Sequence, residues 1–113
     1  MAITESPHFS NVVDEARVGL STSELADLTG VKPRQVQNWA AGTSRPAGAH
    51  RDHLLEVHYL VAALGEVYEP EGVEIWLHAR NRLLDGRRAI DLLREGRYDV
   101  VLDAIERLKS GAV

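Results

Sequence analysis

Six arginines lie close together near the C-terminal end of this sequence, around an Asp85-Gly86 turn signal: Arg80, Arg82, Arg87, Arg88, Arg94 and Arg97. A compact helical subdomain would explain the apolar residues between Trp76 and Leu108, which recur at helical spacing. It would not explain so many guanidinium groups beside one turn. We therefore treat this arginine cluster as a candidate binding surface.

A second group of polar side chains belongs to residues 31–51, which hold four basic residues and no acid between two acidic flanks. Such a basic island can meet phosphates although the whole chain carries a net charge of −4. The outward face of a helix from Lys32 to Ala41 offers side chains able to read base edges: Arg34, Gln35, Gln37 and Asn38. The remaining basic residues are suited to phosphate contacts: Lys32, Arg45 and Arg51.

The sequence gives little support for a catalytic site or a metal-binding site. The chain has no cysteine, which excludes thiol catalysis and disulfides. His50 and His53 have a spacing that could bind a metal, and His58 is near, but zinc sites normally need further ligands at defined positions. We find no nucleophile, phosphate loop or catalytic triad in a recognisable context. The sequence therefore predicts no metal, no cofactor and no enzymatic activity.

The elements that must position these residues are all predicted to be helices, and no segment predicts a strand. Apolar spacing indicates a helix from His8 to Leu20, a central helix from His50 to Glu66, and a helix from Val73 to Leu84 with Ile75, Trp76, Ala79 and Leu83 inward. Short helices with a Gly96 break follow, and the last helix ends near Leu108. No apolar run is long enough to cross a membrane, and MAITESPHFS does not resemble a signal peptide, so we expect a cytoplasmic protein.

The segment between residues 21 and 41 predicts a helix-turn-helix. Ser21 and Glu24 fit a capping box at the start of the first helix, and Gly30 supplies the turn. Val36 and Trp39 are placed to anchor the second helix to the core. Together these positions resemble the helix-turn-helix of Xre-like repressors, whose second helix enters the major groove of DNA.

The C-terminal half resembles a more specific family. Asn81 is followed by Leu84-Asp85-Gly86-Arg87-Arg88-Ala89-Ile90-Asp91-Leu92-Leu93 and then by Gly96-Arg97-Tyr98 and Val101-Leu102. This pattern is similar to the C-terminal domain of Xre/MbcA/ParS-type antitoxins, with Ala89 where the family often has proline. Members of that family are partners of RES-domain toxins, which degrade NAD.

The resemblance implies an all-α fold with a helix-turn-helix region at residues 1–48, packed on a toxin-binding and oligomerisation region at residues 49–113. It also implies that the toxin is covered by residues at the end of the chain: Arg87, Arg88, Arg97, Tyr98, Lys109, Ser110, Gly111, Ala112 and Val113. Small residues in that tail suit a narrow plug entering the toxin's NAD site. A frayed terminus is the alternative interpretation of the same residues.

Three functions remain open at this level. The first is an antitoxin that neutralises a RES-type toxin and binds operator DNA, as a homodimer within a larger toxin-antitoxin complex. The second is a stand-alone helix-turn-helix repressor whose C-terminal half only dimerises. The third is a small enzyme, which an NAD-consumption assay on the isolated chain would test.

Overall fold

The computed structural model describes residues 9–111. Its helices are α1 (Phe9–Ala16), α2 (Thr22–Thr29), α3 (Pro33–Ala41), α4 (Gly48–Gly65), α5 (Pro70–His78), α6 (Ala89–Arg94) and α7 (Tyr98–Ser110). A two-stranded antiparallel sheet of β1 (Arg80–Asn81) and β2 (Arg87–Arg88) lies between α5 and α6, and a short 3₁₀ helix (Arg82–Leu84) connects its strands. The predicted all-α class is thus confirmed, with this small sheet as its one addition in the described residues.

Helix α4 lies at the centre of the molecule and contacts α1, α2, α5 and α7. Its inner face contributes Leu54, Leu60 and Leu64, which are completely buried, to a core shared by both halves of the chain. The two halves also meet at the turn after α1. A Cβ atom on Gly19 would lie 2.9 Å from side-chain atoms of both Leu77 and Val73 on α5, so only glycine fits there without a shift.

The helix-turn-helix is confirmed by its local geometry. The Ser21 hydroxyl accepts a hydrogen bond from the Glu24 N–H at 3.0 Å, and the Glu24 carboxylate accepts one from the Ser21 N–H at 2.9 Å. Gly30 has a φ of 82°, which L side chains rarely adopt, so it makes the turn between α2 and α3 at low cost. Val36 and Trp39 are buried as predicted, and Pro33 occupies the first turn of α3.

The prediction of a helix from His8 to Leu20 is too long. Helix α1 ends at Ala16, and His8 lies outside the described residues. Residues 17–20 form a turn instead, because the close approach of Gly19 to α5 redirects the chain. Leu20 is nevertheless buried, so its apolar character was correctly read as a core contact.

The prediction of one helix from Val73 to Leu84 is wrong in its second half. Helix α5 ends at His78, and Ala79 has extended dihedrals that begin the strand pair. Asn81 then folds the chain back, since its side-chain oxygen accepts a hydrogen bond from the Leu83 N–H at 2.8 Å. As a result Ala79 is exposed and Leu83 is only half-buried, whereas both were predicted to face the core.

Ile75 is the other error in this segment. It was predicted to face inward but is 66% exposed, while Trp76 and Leu77 beside it are buried. The inner face of α5 is already occupied by Val73, Trp76 and Leu77, so Ile75 is left on the opposite side of the helix. The apolar pattern of α5 therefore describes two faces, of which only one is covered by other parts of residues 9–111.

Candidate functional site

The outer face of α3 borders a groove of about 570 Å³ that also contacts the loop before α4 and the start of α4. No acidic side chain lines it. The basic and amide side chains around it include most of those predicted to bind DNA: Lys32, Arg34, Gln35, Asn38 and Arg45. The fold thus brings one end of α3 and the following loop to a single positively charged surface, which is the charge that contact with a phosphate backbone requires.

The predicted DNA-binding residues do not all lie in this groove. Gln37 is exposed on α3 outside its lining, and Arg51 is on α4, where its guanidinium is 3.6 Å from the carboxylate of Asp52. The Gln35 amide donates to the Ser44 hydroxyl at 2.8 Å, which fixes the loop against α3. Gln35 would therefore have to exchange this hydrogen bond for one with a base.

His50 joins the groove, although the sequence offered no reason to choose it over the other histidines. Its Nδ1 lies 2.7 Å from the carbonyl oxygen of Thr29, so Nδ1 carries a proton and donates. The ring also contacts the turn, since a Cβ on Gly30 would lie 3.5 Å from it. His50 therefore links the start of α4 to the turn of the helix-turn-helix.

The arginine cluster surrounds the β1–β2 turn in the C-terminal half. Arg80 is paired with Arg88 and Asn81 with Arg87 across the two strands. Asp85 and Gly86 both have positive φ values, 56° and 81°, as the turn signal predicted. The sheet therefore holds neighbouring arginines at a fixed spacing on one side of the protein.

Two of the arginines expected to contact a toxin already have carboxylate partners. Arg87 pairs with Glu95 at the end of α6, and the Arg88 Nε donates to Asp91 at 2.8 Å. Hydrogen bonds from these arginines hold the pKa values of Asp91 and Glu95 below their usual range. Arg97 is exposed and has no ion-pair partner within 4 Å among residues 9–111, so its charge is available to a partner.

Tyr98 lies at the junction of the two halves. It lines a cavity of about 290 Å³ together with Asp27 and Leu28 of α2, Val57 of α4 and Leu93 of α6. Burial raises the pKa of its phenol, and the charges of nearby groups add to that effect. The position of Tyr98 therefore matches a contact between the N-terminal and C-terminal halves better than a free rim.

The predicted plug at residues 109–113 is largely helical in its first part. Lys109 and Ser110 belong to α7, and the Lys109 ammonium lies 3.0 Å from a carboxylate oxygen of Glu66 on α4. Gly111, with a φ of 75°, ends the helix. Ala112 and Val113 lie outside the described residues. Of the predicted plug, Lys109 and Ser110 are therefore helical and Gly111 is the helix cap.

A charged contact joins the helix-turn-helix to α5. The second carboxylate oxygen of Glu24, whose first one caps α2, lies 2.8 Å from Nε2 of His78, and Nδ1 of His78 lies 2.7 Å from the Glu74 carbonyl oxygen. Both neighbours of the imidazole are acceptors, so the protonated ring can donate a hydrogen bond to each of them, which favours the charged form. Burial opposes this charge, but hydrogen bonds to Glu74 and Glu24 outweigh it and raise the pKa of His78.

We expect the Glu24–His78 contact to make stability depend on pH. The pKa of Glu24 is lowered although burial opposes this, so its contribution is complete above its ordinary value of 4.5 and disappears as the pH falls through the lowered value. The contribution of His78 is complete below its ordinary value of 6.5 and disappears as the pH rises through the raised value. The contact should therefore stabilise the fold most between these two ordinary values.

Urea unfolding of His78→Gln at several pH values tests this prediction. The variant should lose about 1 kcal/mol or less near pH 5.5, because the groups are partly exposed, and the difference should shrink as the pH rises above neutrality. His53→Gln is a matched control, since His53 is exposed and its ion pair is with Glu56 on its own helix. A loss of stability in His78→Gln that is the same at all pH values would contradict the prediction.

Neither a metal site nor a membrane segment is found in the described part of the chain. No group of three or more histidine, aspartate or glutamate side chains among residues 9–111 is arranged to hold a metal ion. None of the helices in the same range combines the length and the apolar composition needed to cross a bilayer. The two surfaces above therefore remain the candidates for function.

Comparison with known proteins identifies the family to which this chain belongs. Residues 61–111 match the family model described as the Xre/MbcA/ParS antitoxin C-terminal toxin-binding domain. The chain belongs to this antitoxin family. It is 36% identical over 95 residues, which is 84% of both chains, to the mycobacterial cidal antitoxin MbcA of Mycobacterium tuberculosis and Mycobacterium bovis. It is 38% identical to a probable mycobacterial cidal antitoxin of Mycobacterium tuberculosis strain H37Rv, over 99% of this chain and 98% of the relative.

A solved structure extends the similarity to the fold. The chain superposes on a chain of the crystal structure of the M. tuberculosis MbcT-MbcA toxin-antitoxin complex with a TM-score of 0.77 and 34% identity, covering 92% of this chain and 96% of that one. The superposition spans both halves rather than the C-terminal half alone. The protein is therefore an antitoxin of a toxin-antitoxin system.

Proposed function

We propose that this antitoxin neutralises a RES-type, NAD-degrading toxin by covering the toxin's active site, and that it is not itself an enzyme. The observation that carries the proposal is the match of residues 61–111 to a toxin-binding domain, together with the similarity to a chain of a solved toxin-antitoxin complex. The identity of the toxin as a RES protein rests on the family resemblance of the arginine-rich stretch.

The surface of the matched region supports a protein partner. Ile75 is the most exposed of the large hydrophobic residues in the described chain, at 66%. Large apolar side chains that a partner buries often lie at the centre of a protein interface. We propose that Ile75 is buried by the toxin. Three arginines would contact the rim of the toxin's active site and set the rate of association: Arg87, Arg88 and Arg97.

The end of the chain supplies the blocking element in this proposal. Helix α7 contacts α4 and buries Val101, Ala104 and Ile105, so it supplies a fixed base for the tail. Gly111 then ends the helix in a left-handed conformation. The remaining residues are small enough to pass the mouth of a pocket, which is why we assign the plug to Gly111, Ala112 and Val113, with Lys109 and Ser110 at its base.

Deletion of residues 111–113 should separate toxin binding from toxin inhibition. We expect the truncated chain to bind a RES-domain toxin encoded beside its gene almost as tightly as the full chain, because the surface around Ile75 is intact. NAD degradation should nevertheless return. Binding is measured by calorimetry, and NAD loss is followed in the same mixtures.

Two further variants make the result specific. Lys109→Ala removes the pair with Glu66 but keeps the tail, so it should still protect NAD. Ile75→Asp should weaken binding by about 2 kcal/mol, the size of an interface hot spot. Complete protection of NAD by the truncated chain would exclude the plug, and unchanged binding of Ile75→Asp would exclude the proposed centre of the interface.

We further propose that the helix-turn-helix region, residues 1–48, binds operator DNA in the cytoplasm and represses its own operon, while residues 49–113 bind the toxin and support a homodimer. The acid-free groove beside α3 is the observation that favours this second role. It also supports the alternative, a stand-alone repressor. A chain that binds operator DNA but does not bind or inhibit any RES toxin encoded beside its gene would favour that alternative.

A further inference from the structure

Helix α4 has an outer face that is largely exposed within residues 9–111. Exposed side chains recur at helical spacing along one stripe of α4, which continues to the capping residue after the helix: Arg51, Leu55, Tyr59, Ala62 and Glu66. Leu55 and Tyr59 are 38% and 53% exposed, which is high for large apolar and aromatic residues on the longest helix of the fold. The ends of this α4 stripe are charged, with a base near the N-terminus of the helix and an acid near its C-terminus.

The residues of the α4 stripe form complementary pairs about the middle of the helix. The midpoint between Arg51 and Glu66 falls between His58 and Tyr59, and so does the midpoint between Leu55 and Ala62. If two such helices lie antiparallel about a two-fold axis at that midpoint, Arg51 faces Glu66, Leu55 faces Ala62 and Tyr59 faces His58 of the second copy. An isologous interface requires this kind of self-complementarity, in which residue i contacts residue j and j contacts i.

We propose that the α4 stripe is the homodimer interface, and that a second copy of this chain packs on it with α4 antiparallel to its counterpart. Leu55 would pack on the partner's Ala62, and Arg51 would pair with the partner's Glu66. These charged pairs would lie about 22 Å apart along the helix, since α-helices rise 1.5 Å per residue. This inference rests on the homodimer of the proposed function and names the surface that forms it.

The surroundings of the stripe support close packing. Ala62 and Gly65 line an apolar groove of about 320 Å³ with Val18, Val61 and Tyr68, and this groove lies beside the position that faces Leu55 of the second copy. Small residues let two helices approach to the usual 8–10 Å between axes. Val18, which is 41% exposed on the turn after α1, adds further apolar surface to the rim.

Arg51 and Glu66, at the two ends of the α4 stripe, are exposed enough to form an ion pair with a second copy of the chain. His58 contacts Glu15 of α1 at 2.7 Å and flanks one side of the stripe, while Lys109 of α7 contacts Glu66 at 3.0 Å and flanks the other. The side chain of Glu66 is still 64% exposed, and that of Arg51 is 52% exposed beside Asp52. Each of them can therefore reach a second partner without losing its present one.

A charge exchange tests the antiparallel register directly. Arg51→Glu and Glu66→Arg should each raise the dissociation constant of the free antitoxin dimer about tenfold, because each places like charges opposite one another. The double variant restores opposite charges across the axis, so its dissociation constant should return to within about threefold of the parent. Sedimentation velocity over a dilution series measures all four proteins, and far-UV circular dichroism checks that each is folded.

The outcomes separate this inference from the proposed toxin neutralisation. A parent chain that is monomeric throughout, single variants that dimerise as before, or a double variant that stays monomeric would each overturn the interface. NAD protection is measured on the same variants. If Arg51→Glu abolishes toxin binding while the parent is monomeric, the α4 stripe belongs to the toxin and the dimer interface is overturned. If dimerisation behaves as expected and no toxin is bound, only the proposed neutralisation fails.

Discussion

Replacing Trp39 by alanine is expected to destabilise the protein by about 3–5 kcal/mol, which is a large part of the stability of a domain this small. Trp39 is only 2% exposed and anchors α3 to the core. Removal of its indole would leave a cavity beneath α3, which packs on α1 and α2, and these helices cannot fill it without moving. Urea unfolding followed by far-UV circular dichroism, at one fixed protein concentration, measures the change.

Trp39→Phe is the matched control for this prediction. The indole N–H of Trp39 is buried and has no hydrogen-bond partner among the described residues, so its removal breaks no hydrogen bond in the part of the chain that the structure describes. Phenylalanine keeps part of the ring volume, and its cost should be clearly smaller than that of alanine. Equal losses for the two variants would show that ring packing is not what anchors α3.

The second large effect is expected on operator binding. Arg34→Ala combined with Asn38→Ala should remove two base-reading contacts, each worth roughly 1–3 kcal/mol for the preferred site. Both residues border the acid-free groove at α3, so the loss is expected to be specific for the operator sequence. Fluorescence anisotropy with the DNA upstream of the gene, against a scrambled duplex, measures both affinities.

Arg45→Ala and Arg107→Ala provide the comparison. Arg45 lies in the groove and should contact a phosphate, so its loss should weaken binding to both duplexes alike and flatten the salt dependence. Arg107 is on α7 beside Asp103, so the same change of charge there should leave DNA binding nearly unaltered. Unchanged operator binding by the Arg34 and Asn38 double variant would show that α3 is not the recognition helix.

The features that were correctly predicted depend on residues near one another in the chain. Ser21 and Glu24 form a capping box because their side chains reach backbone groups only three residues away. Gly30 and Gly96 both have positive φ values, as expected for residues that end a helix. The burial of Val36 and Trp39 follows from the 3.6-residue period of α3.

The errors have a common cause in packing between distant segments. Helix α1 stops early because the turn at Gly19 is pressed against α5, more than fifty residues later in the chain. The stretch after His78 has helical periodicity, but the chain pairs Arg80 with Arg88 instead, and a two-residue strand is too short to show an alternating pattern. Ile75 was assigned to the core because an apolar residue looks the same in sequence whether the protein or a partner covers it.

The sequence alone determined the helical class of this antitoxin, the position of its helix-turn-helix and its family, because periodicity, caps and a continuous motif are properties of neighbouring residues. Only the tertiary structure decided which residues share a surface. It placed His50 beside Arg45, joined Glu24 to His78, and directed the α4 stripe away from the core. These placements depend on how the helices pack against one another, and packing arises from the sum of many weak contacts between segments far apart in the chain.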